Sequence, residues 1–134
     1  MLSSELERIE TQLGISLPED YRSLMTAYPF APSSFTAEVL LPDSADWLLA
    51  SAGLVNDLPA NSFIIGGDGG EESYFIDVSR QRSPVFVFDL ETGKVWQKAS
   101  SLSVYVEQCK DAIEQIHRDE ERAAKKKWWQ VWRR

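Results

Sequence analysis

Cysteine, histidine and long apolar runs are all scarce in this sequence. Among its 134 residues there are one cysteine and one histidine, which excludes an intramolecular disulfide framework and a cysteine-rich zinc site. No apolar stretch approaches the roughly 20 residues that a membrane-spanning helix requires, and the residues after Met1 lack the pattern of a signal peptide. A chain of this length most naturally forms one domain, which we expect to be soluble and cytoplasmic.

Basic residues are also scarce, except at the C-terminus. The first 121 residues contain all 21 acidic residues and only 8 lysines and arginines, whereas residues 122–134 contain six basic residues and no acid. We therefore predict an acidic domain over residues 1–121 and a basic tail over residues 122–134. An acidic domain repels phosphate groups, which argues against nucleic acid as the principal ligand. It suits a basic partner, or it serves solubility alone.

The N-terminal 30 residues have the pattern of a helical hairpin. Ser4 and Glu7 have the spacing of a capping box, and apolar residues then recur at helical spacing until Gly14, where a helix would end. Pro18 predicts the start of a second helix, because the first helical position tolerates proline. Pro29 predicts its end.

The next 30 residues predict two short elements. Residues 38–41 are apolar enough for a short strand, and residues 44–52, which include Trp47, predict a short helix. From Phe63 the pattern becomes that of β-strands, and the predicted strands are 63–65, 73–78, 84–89 and 94–96. Glycine adopts positive φ easily, so Gly66–Gly70 is predicted to join the first two strands, and residues 90–93 the last two. The strands therefore form two hairpins.

A long helix is predicted to close the chain. Ser100 or Ser101 would cap it, and nothing between Ser101 and Gln130 interrupts it. At 1.5 Å per residue such a helix is about 45 Å long, so it would overhang a domain whose radius of gyration is about 14 Å. The order of helices, strands and helix predicts an α+β fold with a mainly antiparallel sheet and a long C-terminal helix.

No arrangement of reactive residues predicts catalysis. Cys109 and His117 lie eight residues apart on the predicted helix, which separates them by about 12 Å and prevents them from forming a dyad. We expect Cys109 to be a small buried hydrophobe and His117 a solvated helix residue. His117 and Glu121 alone cannot hold a transition metal. Gly66–Gly70 lacks the residues that follow a phosphate-binding loop, so we predict no catalytic residue, cofactor or metal site.

The C-terminal tail combines basic and aromatic residues. Trp128, Trp129 and Trp132 lie among lysines and arginines, and on a helical wheel they occupy the side opposite to most of these bases. Such a segment can dock in a partner's groove or lie at an anionic membrane surface. Alternatively, it folds back onto its own domain. We place partner docking ahead of membrane contact.

Several stretches of the chain resemble the SUKH superfamily, which includes a yeast cell-wall-synthesis regulator and many bacterial immunity proteins. The similarity covers about residues 5–115, and the matching stretches are 9–22, 63–70, 74–77, 84–93 and 99–102. The resemblance implies an α+β fold with helices packed on one side of the sheet. It also implies a binding function without catalysis, which in bacteria is commonly the neutralisation of a toxin domain encoded nearby.

The sequence and the resemblance together predict a non-enzymatic immunity protein that occludes a cognate toxin domain, for which a basic nuclease is a plausible target. The alternative is a peripheral membrane or scaffold protein recruited through the tail. The identity of the partner and the oligomeric state stay open. The candidate contact residues are the acids of the first hairpin turn and two acids near the short helix, namely Asp68, Glu71, Glu72, Asp43 and Asp46.

Overall fold

A computed structural model describes the backbone of residues 1–132 and the side chains of residues 1–126. In chain order its elements are two helices, a π-helical segment, a third helix, four strands and a long helix. Their bounds are α1 Ser3–Leu13, α2 Glu19–Thr26, the π-helix Thr36–Leu40, α3 Ala45–Ser51, β1 Ser62–Gly67, β2 Glu72–Asp77, β3 Val85–Asp89, β4 Val95–Ala99 and α4 Leu102–Trp132.

The predicted helical hairpin is present, but its first cap differs from the prediction. Instead of the Ser4 and Glu7 pair, the Glu5 carboxylate accepts a hydrogen bond from the Leu2 N–H at 2.9 Å. The capping acid is thus at the third helical position, because the helix begins two residues earlier than the pattern indicates. Gly14 ends α1 in the left-handed conformation, with φ of 66°, as predicted.

Glu10 joins the two helices of the hairpin. Its carboxylate accepts a hydrogen bond from the Leu17 N–H at 2.9 Å and forms an ion pair with Arg22 of α2. Pro18 lies immediately before α2 rather than at its first position, and the helix ends at Thr26, ahead of Pro29. The connection between the helices is therefore fixed by one side chain that reaches both of its ends.

The strand predicted over residues 38–41 is wrong, because this segment is π-helical. The Leu41 N–H donates to the Thr36 carbonyl five residues earlier, at 2.7 Å. The segment packs its backbone against β1 so closely that a Cβ on Gly66 would overlap the Leu40 carbonyl oxygen. The predicted short helix is confirmed as α3, with the Ser44 hydroxyl accepting from the Trp47 N–H.

The four strands form an antiparallel sheet in the order β1-β2-β3-β4. Both predicted hairpins are confirmed. Helices pack on one face of the sheet and bury its alternate residues, such as Ile65, Ile76 and Val87. On the other face Ile64, Phe75 and Phe88 are buried, partly under the loop that follows α3. The fold is therefore α+β, as predicted.

Helix α4 begins on the sheet and then leaves it. The Ser101 hydroxyl caps the helix by accepting from the Val104 N–H at 3.2 Å. The first turns bury Leu102, Tyr105 and Cys109, whereas every residue from 114 to 126 is exposed. The helix is 31 residues long and continues without a break through residue 122, where the tail was expected to start. Among the described helices, none has both the length and the hydropathy needed to cross a bilayer.

Candidate functional site

The turns of the two hairpins lie side by side at one end of the sheet. Glu72, the first residue of β2, pairs with Asp89, the last residue of β3. The Leu90 N–H also donates to the Glu71 carbonyl at 2.8 Å. We call this region the acidic end, and its carboxylates belong to Asp68, Glu71, Glu72, Asp89 and Glu91.

Both turns are held by an aspartate that caps them. One Asp68 carboxylate oxygen accepts from the Gly70 N–H at 2.8 Å and from the Glu72 N–H at 3.1 Å. In the second turn an Asp89 oxygen accepts from the N–H groups of Glu91 and Thr92 at 2.8 and 3.2 Å. Each turn also contains a glycine at positive φ. The acidic end is therefore built on two defined turns.

Three carboxylates of the acidic end are in close proximity. Oxygens of Glu71, Asp89 and Glu91 all lie within 4.8 Å of one another. The side-chain hydrogen bond between Glu71 and Glu91 raises the pKa of Glu71, because it stabilises the protonated form of Glu71 as the donor, and desolvation and the charges of Asp89 and Asp68 raise the pKa further. Carboxylates in such a group can bind a hard cation, but exposed acidic groups are common without one. The arrangement alone does not assign a metal.

Of the five candidate contact residues, the structure brings three together. Asp68, Glu71 and Glu72 share the acidic end. Asp43 instead lies 3.1 Å from the N-terminal ammonium of Met1, and Asp46 forms an ion pair with Arg8 of α1.

An apolar cleft that sequence patterns did not predict adjoins the acidic end. Its volume is about 290 Å³. Four glycines are among the residues that line it, namely Gly66, Gly67, Gly69 and Gly70. Apolar side chains around it come from five parts of the chain, namely the π-helix, α3, the following loop, β1 and the second turn. In that order they are Val39, Trp47, Leu54 and Val55, Ile64, and Leu90. The glycine run, interpreted only as a turn, was the one signal in the sequence.

Two tyrosines fix the wall of this cleft. The Tyr28 hydroxyl donates to the Leu41 carbonyl at 2.6 Å, and the Tyr105 hydroxyl donates to the Leu40 carbonyl. Burial raises the pKa of both phenols. Tyr28 follows α2 and Tyr105 belongs to α4, so these two hydrogen bonds tie the end of the π-helix to the core of the domain.

The two residues considered for nucleophilic chemistry lie as predicted. Cys109 is buried, with 2% of its surface exposed, and desolvation raises the pKa of its thiol to about 11. His117 is exposed on the distal part of α4. The side chains of Trp128, Trp129 and Trp132 lie outside the described residues.

The family of the chain follows from a comparison with protein-family models. The SUKH_6 model, described as SMI1-KNR4 cell-wall, matches residues 3–106. No curated protein and no solved structure matches the chain. The matched region contains all four strands, the helices α1 to α3 and the part of α4 that begins on the sheet. Since it covers well over half of the sequence, the chain belongs to the SUKH family.

Proposed function

We propose that this protein is a cytoplasmic immunity protein that binds and neutralises a cognate bacterial toxin, with the acidic end as its contact surface. Membership in the SUKH family supports a role in protein interaction without enzymatic activity. The observation that carries the proposal is the concentration of five carboxylates on two adjacent, capped turns. The first 121 residues act as the binding unit.

The rigidity of the acidic end favours binding. A surface that is already ordered does not lose conformational entropy when a partner docks, so more of the interaction energy is retained as affinity. Here Asp68 and Asp89 hold the turns, while Glu71 and Glu91 are exposed to a partner. The same division of roles identifies which acids can be changed without disturbing the turns.

The charge of the surface indicates the chemistry of the partner. Concentrated charge of one sign raises the association rate of an oppositely charged partner by about 10- to 1,000-fold. A nuclease toxin has a basic surface because it must bind phosphates. The acidic end would cover that surface and thereby exclude the substrate of the toxin.

Asp43 and Asp46 form a secondary proposed contact. Both carboxylates already have a cationic partner in the chain, Met1 and Arg8 respectively. A toxin would have to compete with these ion pairs, so we expect substitutions at Asp43 and Asp46 to affect binding less than substitutions at the acidic end.

The test is a calorimetric and stopped-flow titration with the toxin domain encoded beside the gene of this protein. In the full chain, the double variant Glu71→Lys/Glu91→Lys should lower the association rate at least about tenfold at low salt, and raised salt should reduce the difference. The control variant Glu7→Lys/Asp111→Lys has the same net charge, and its substitutions lie at exposed positions on α1 and α4.

Two outcomes would overturn the proposal. If the wild-type chain does not bind at micromolar concentration and does not inhibit the toxin, the proposed function is wrong. If both double variants slow association equally, the effect comes from net charge alone and the acidic end is not the contact surface.

A further inference from the structure

The cleft beside the acidic end has the size of a site for one large side chain. Pockets for small-molecule ligands typically measure about 300–1,000 Å³, and this cleft, at about 290 Å³, lies at the lower limit of that range. Apolar side chains such as Trp47 and Ile64 line it together with glycines of the first turn. Leu54 stands at the rim with 78% of its surface exposed. An aromatic ring fits this shape and would cover the exposed leucine.

The charges around the cleft select a basic occupant. Glu38 and Glu72 are among the residues that line it, and no lysine, arginine or histidine is among the lining residues that the structure describes. The remaining carboxylates of the acidic end lie on the adjoining turns. The occupant should therefore present an aromatic side chain with cationic neighbours.

This chain contains a segment with that composition. Residues 122–134 carry six of the 14 lysines and arginines and three of the five tryptophans, without an acidic residue. Tryptophan and arginine are also the side chains that contribute most often to the energetic centre of protein interfaces.

The segment cannot reach the cleft of its own chain while α4 is intact. Ile113 is the last residue of α4 that packs against the core, and the helix continues to Trp132. Nineteen further residues at 1.5 Å each place the helix end about 28 Å beyond Ile113. A continuous helix does not turn back, so the occupant must come from another molecule.

We infer that the basic, tryptophan-rich tail of one copy docks in the cleft of a second copy, so that the protein self-associates by exchanging its α4 tails. Each molecule contributes its tail and this cleft. In a closed dimer with reciprocal exchange, each tail is bound and each cleft is filled. This inference does not depend on the proposed toxin partner. Because the cleft adjoins the acidic end, a docked tail would also cover part of the proposed toxin-binding surface.

Sedimentation velocity on the full chain, across a range of protein concentrations, tests the inference. Wild type should form a dimer that weakens as salt is raised. The variant Leu54→Asp, at the cleft rim, should weaken dimerisation at least tenfold, and so should Trp128→Ala/Trp129→Ala/Trp132→Ala. The matched control is Leu2→Asp, at another exposed leucine that does not line the cleft, and it should dimerise like wild type.

Mixing the two defective variants gives a sharper result. The Leu54→Asp chain keeps its tail and the triple tryptophan variant keeps its cleft, so one complementary contact is available between them. We expect a mixed dimer from two variants that are each monomeric alone. Circular dichroism of each variant should match that of wild type, which would exclude misfolding as the cause of the monomeric state.

Three results would overturn the inference. These are a wild type that stays monomeric at all concentrations, a mixture of the two variants that forms no dimer, and a Leu2→Asp variant whose dimer is as weak as that of Leu54→Asp. Co-sedimentation of monomeric wild type with anionic vesicles, lost in the triple tryptophan variant, would assign the tail to a membrane surface instead.

Discussion

The two halves of α4 belong to one continuous helix but have different physical roles. In the proximal half Leu102, Tyr105 and Cys109 are almost completely buried, and the Tyr105 hydroxyl fixes the π-helix. In the distal half every residue from 114 to 126 is exposed. Its recorded ion pairs lie within the helix itself, for example Glu114 with Arg118.

The difference shows that one helix can be maintained by two sources of stability. The proximal half is held by burial of apolar surface, which is the main source of helix stability in proteins. The distal half depends on helix propensity and on pairs four residues apart, each worth a few tenths of a kcal/mol. Substitutions in the two halves should therefore have different effects on unfolding.

The largest difference is expected from alanine substitutions. Tyr105→Ala should lower the free energy of unfolding by about 3–5 kcal/mol, because it removes a buried aromatic ring and leaves a cavity. Ile116→Ala, in the distal half, should change it by less than about 0.5 kcal/mol. Urea denaturation measures both values. Equal values would show that the distal half is also packed against the domain.

The second-largest difference between the two halves of α4 is expected in the reactivity of a thiol placed in each of them. The pKa of Cys109 is raised to about 11, against about 8.5 for a free thiol. The comparison protein is Ile116→Cys in a Cys109→Ala background. At pH 8 the thiolate fraction of Cys109 should be at least about 100-fold below that of the cysteine at position 116. The rate of disulfide exchange with a chromogenic reagent should be lower by the same factor. As the pH rises, the rate at position 116 should level off near pH 9, while the rate of Cys109 continues to increase toward pH 11. Similar rates in both proteins would contradict the burial of Cys109.

Removal of one hydroxyl group should have a smaller effect. Tyr105→Phe leaves the ring in place but deprives the Leu40 carbonyl of its donor, which should cost about 1–3 kcal/mol of unfolding free energy. The comparison is Val104→Ala, an exposed neighbour on the same turn. If Tyr105→Phe is as stable as wild type, the hydrogen bond does not hold the π-helix.

The smallest effect on global stability is expected from glycine in the distal half. Ala123→Gly with Ala124→Gly costs about 1 kcal/mol of local helix stability per residue. The double variant should therefore lose helical circular dichroism, while the urea midpoint stays unchanged. Ala112→Gly in the proximal half should instead lower the unfolding free energy by about 1 kcal/mol. A shifted midpoint in the double variant would contradict the independence of the distal half.

Local patterns were sufficient to predict most of the fold. The alternation around Phe75 and Phe86 predicted the strands, and uninterrupted helical spacing after Ser101 predicted α4. The π-helix was missed because residues 38–41 have the composition of a strand, and what decides their conformation is close packing of Leu40 on Gly66. That contact joins positions 26 residues apart, so no local pattern contains it.

The candidate site was less predictable for the same reason. The acids of the first turn were recognised, but Asp89 and Glu91 join them only because β2 and β3 pair in one particular register. The ion pair of Asp43 with the amino group of Met1 depends on how the N-terminus packs. The cleft could not be predicted from local patterns, since the residues that line it come from elements that are far apart in the sequence.

Gly66 gives a simple criterion for recognising the same architecture in other chains. Any side chain at this position would overlap the Leu40 carbonyl oxygen, so a substitution must displace the segment that forms one wall of the cleft. A related protein with another residue at the equivalent position therefore cannot have the same cleft, however similar its strands are. The identity of this one residue can therefore divide SUKH domains into those in which this segment packs directly on the first strand and those in which it must lie further away.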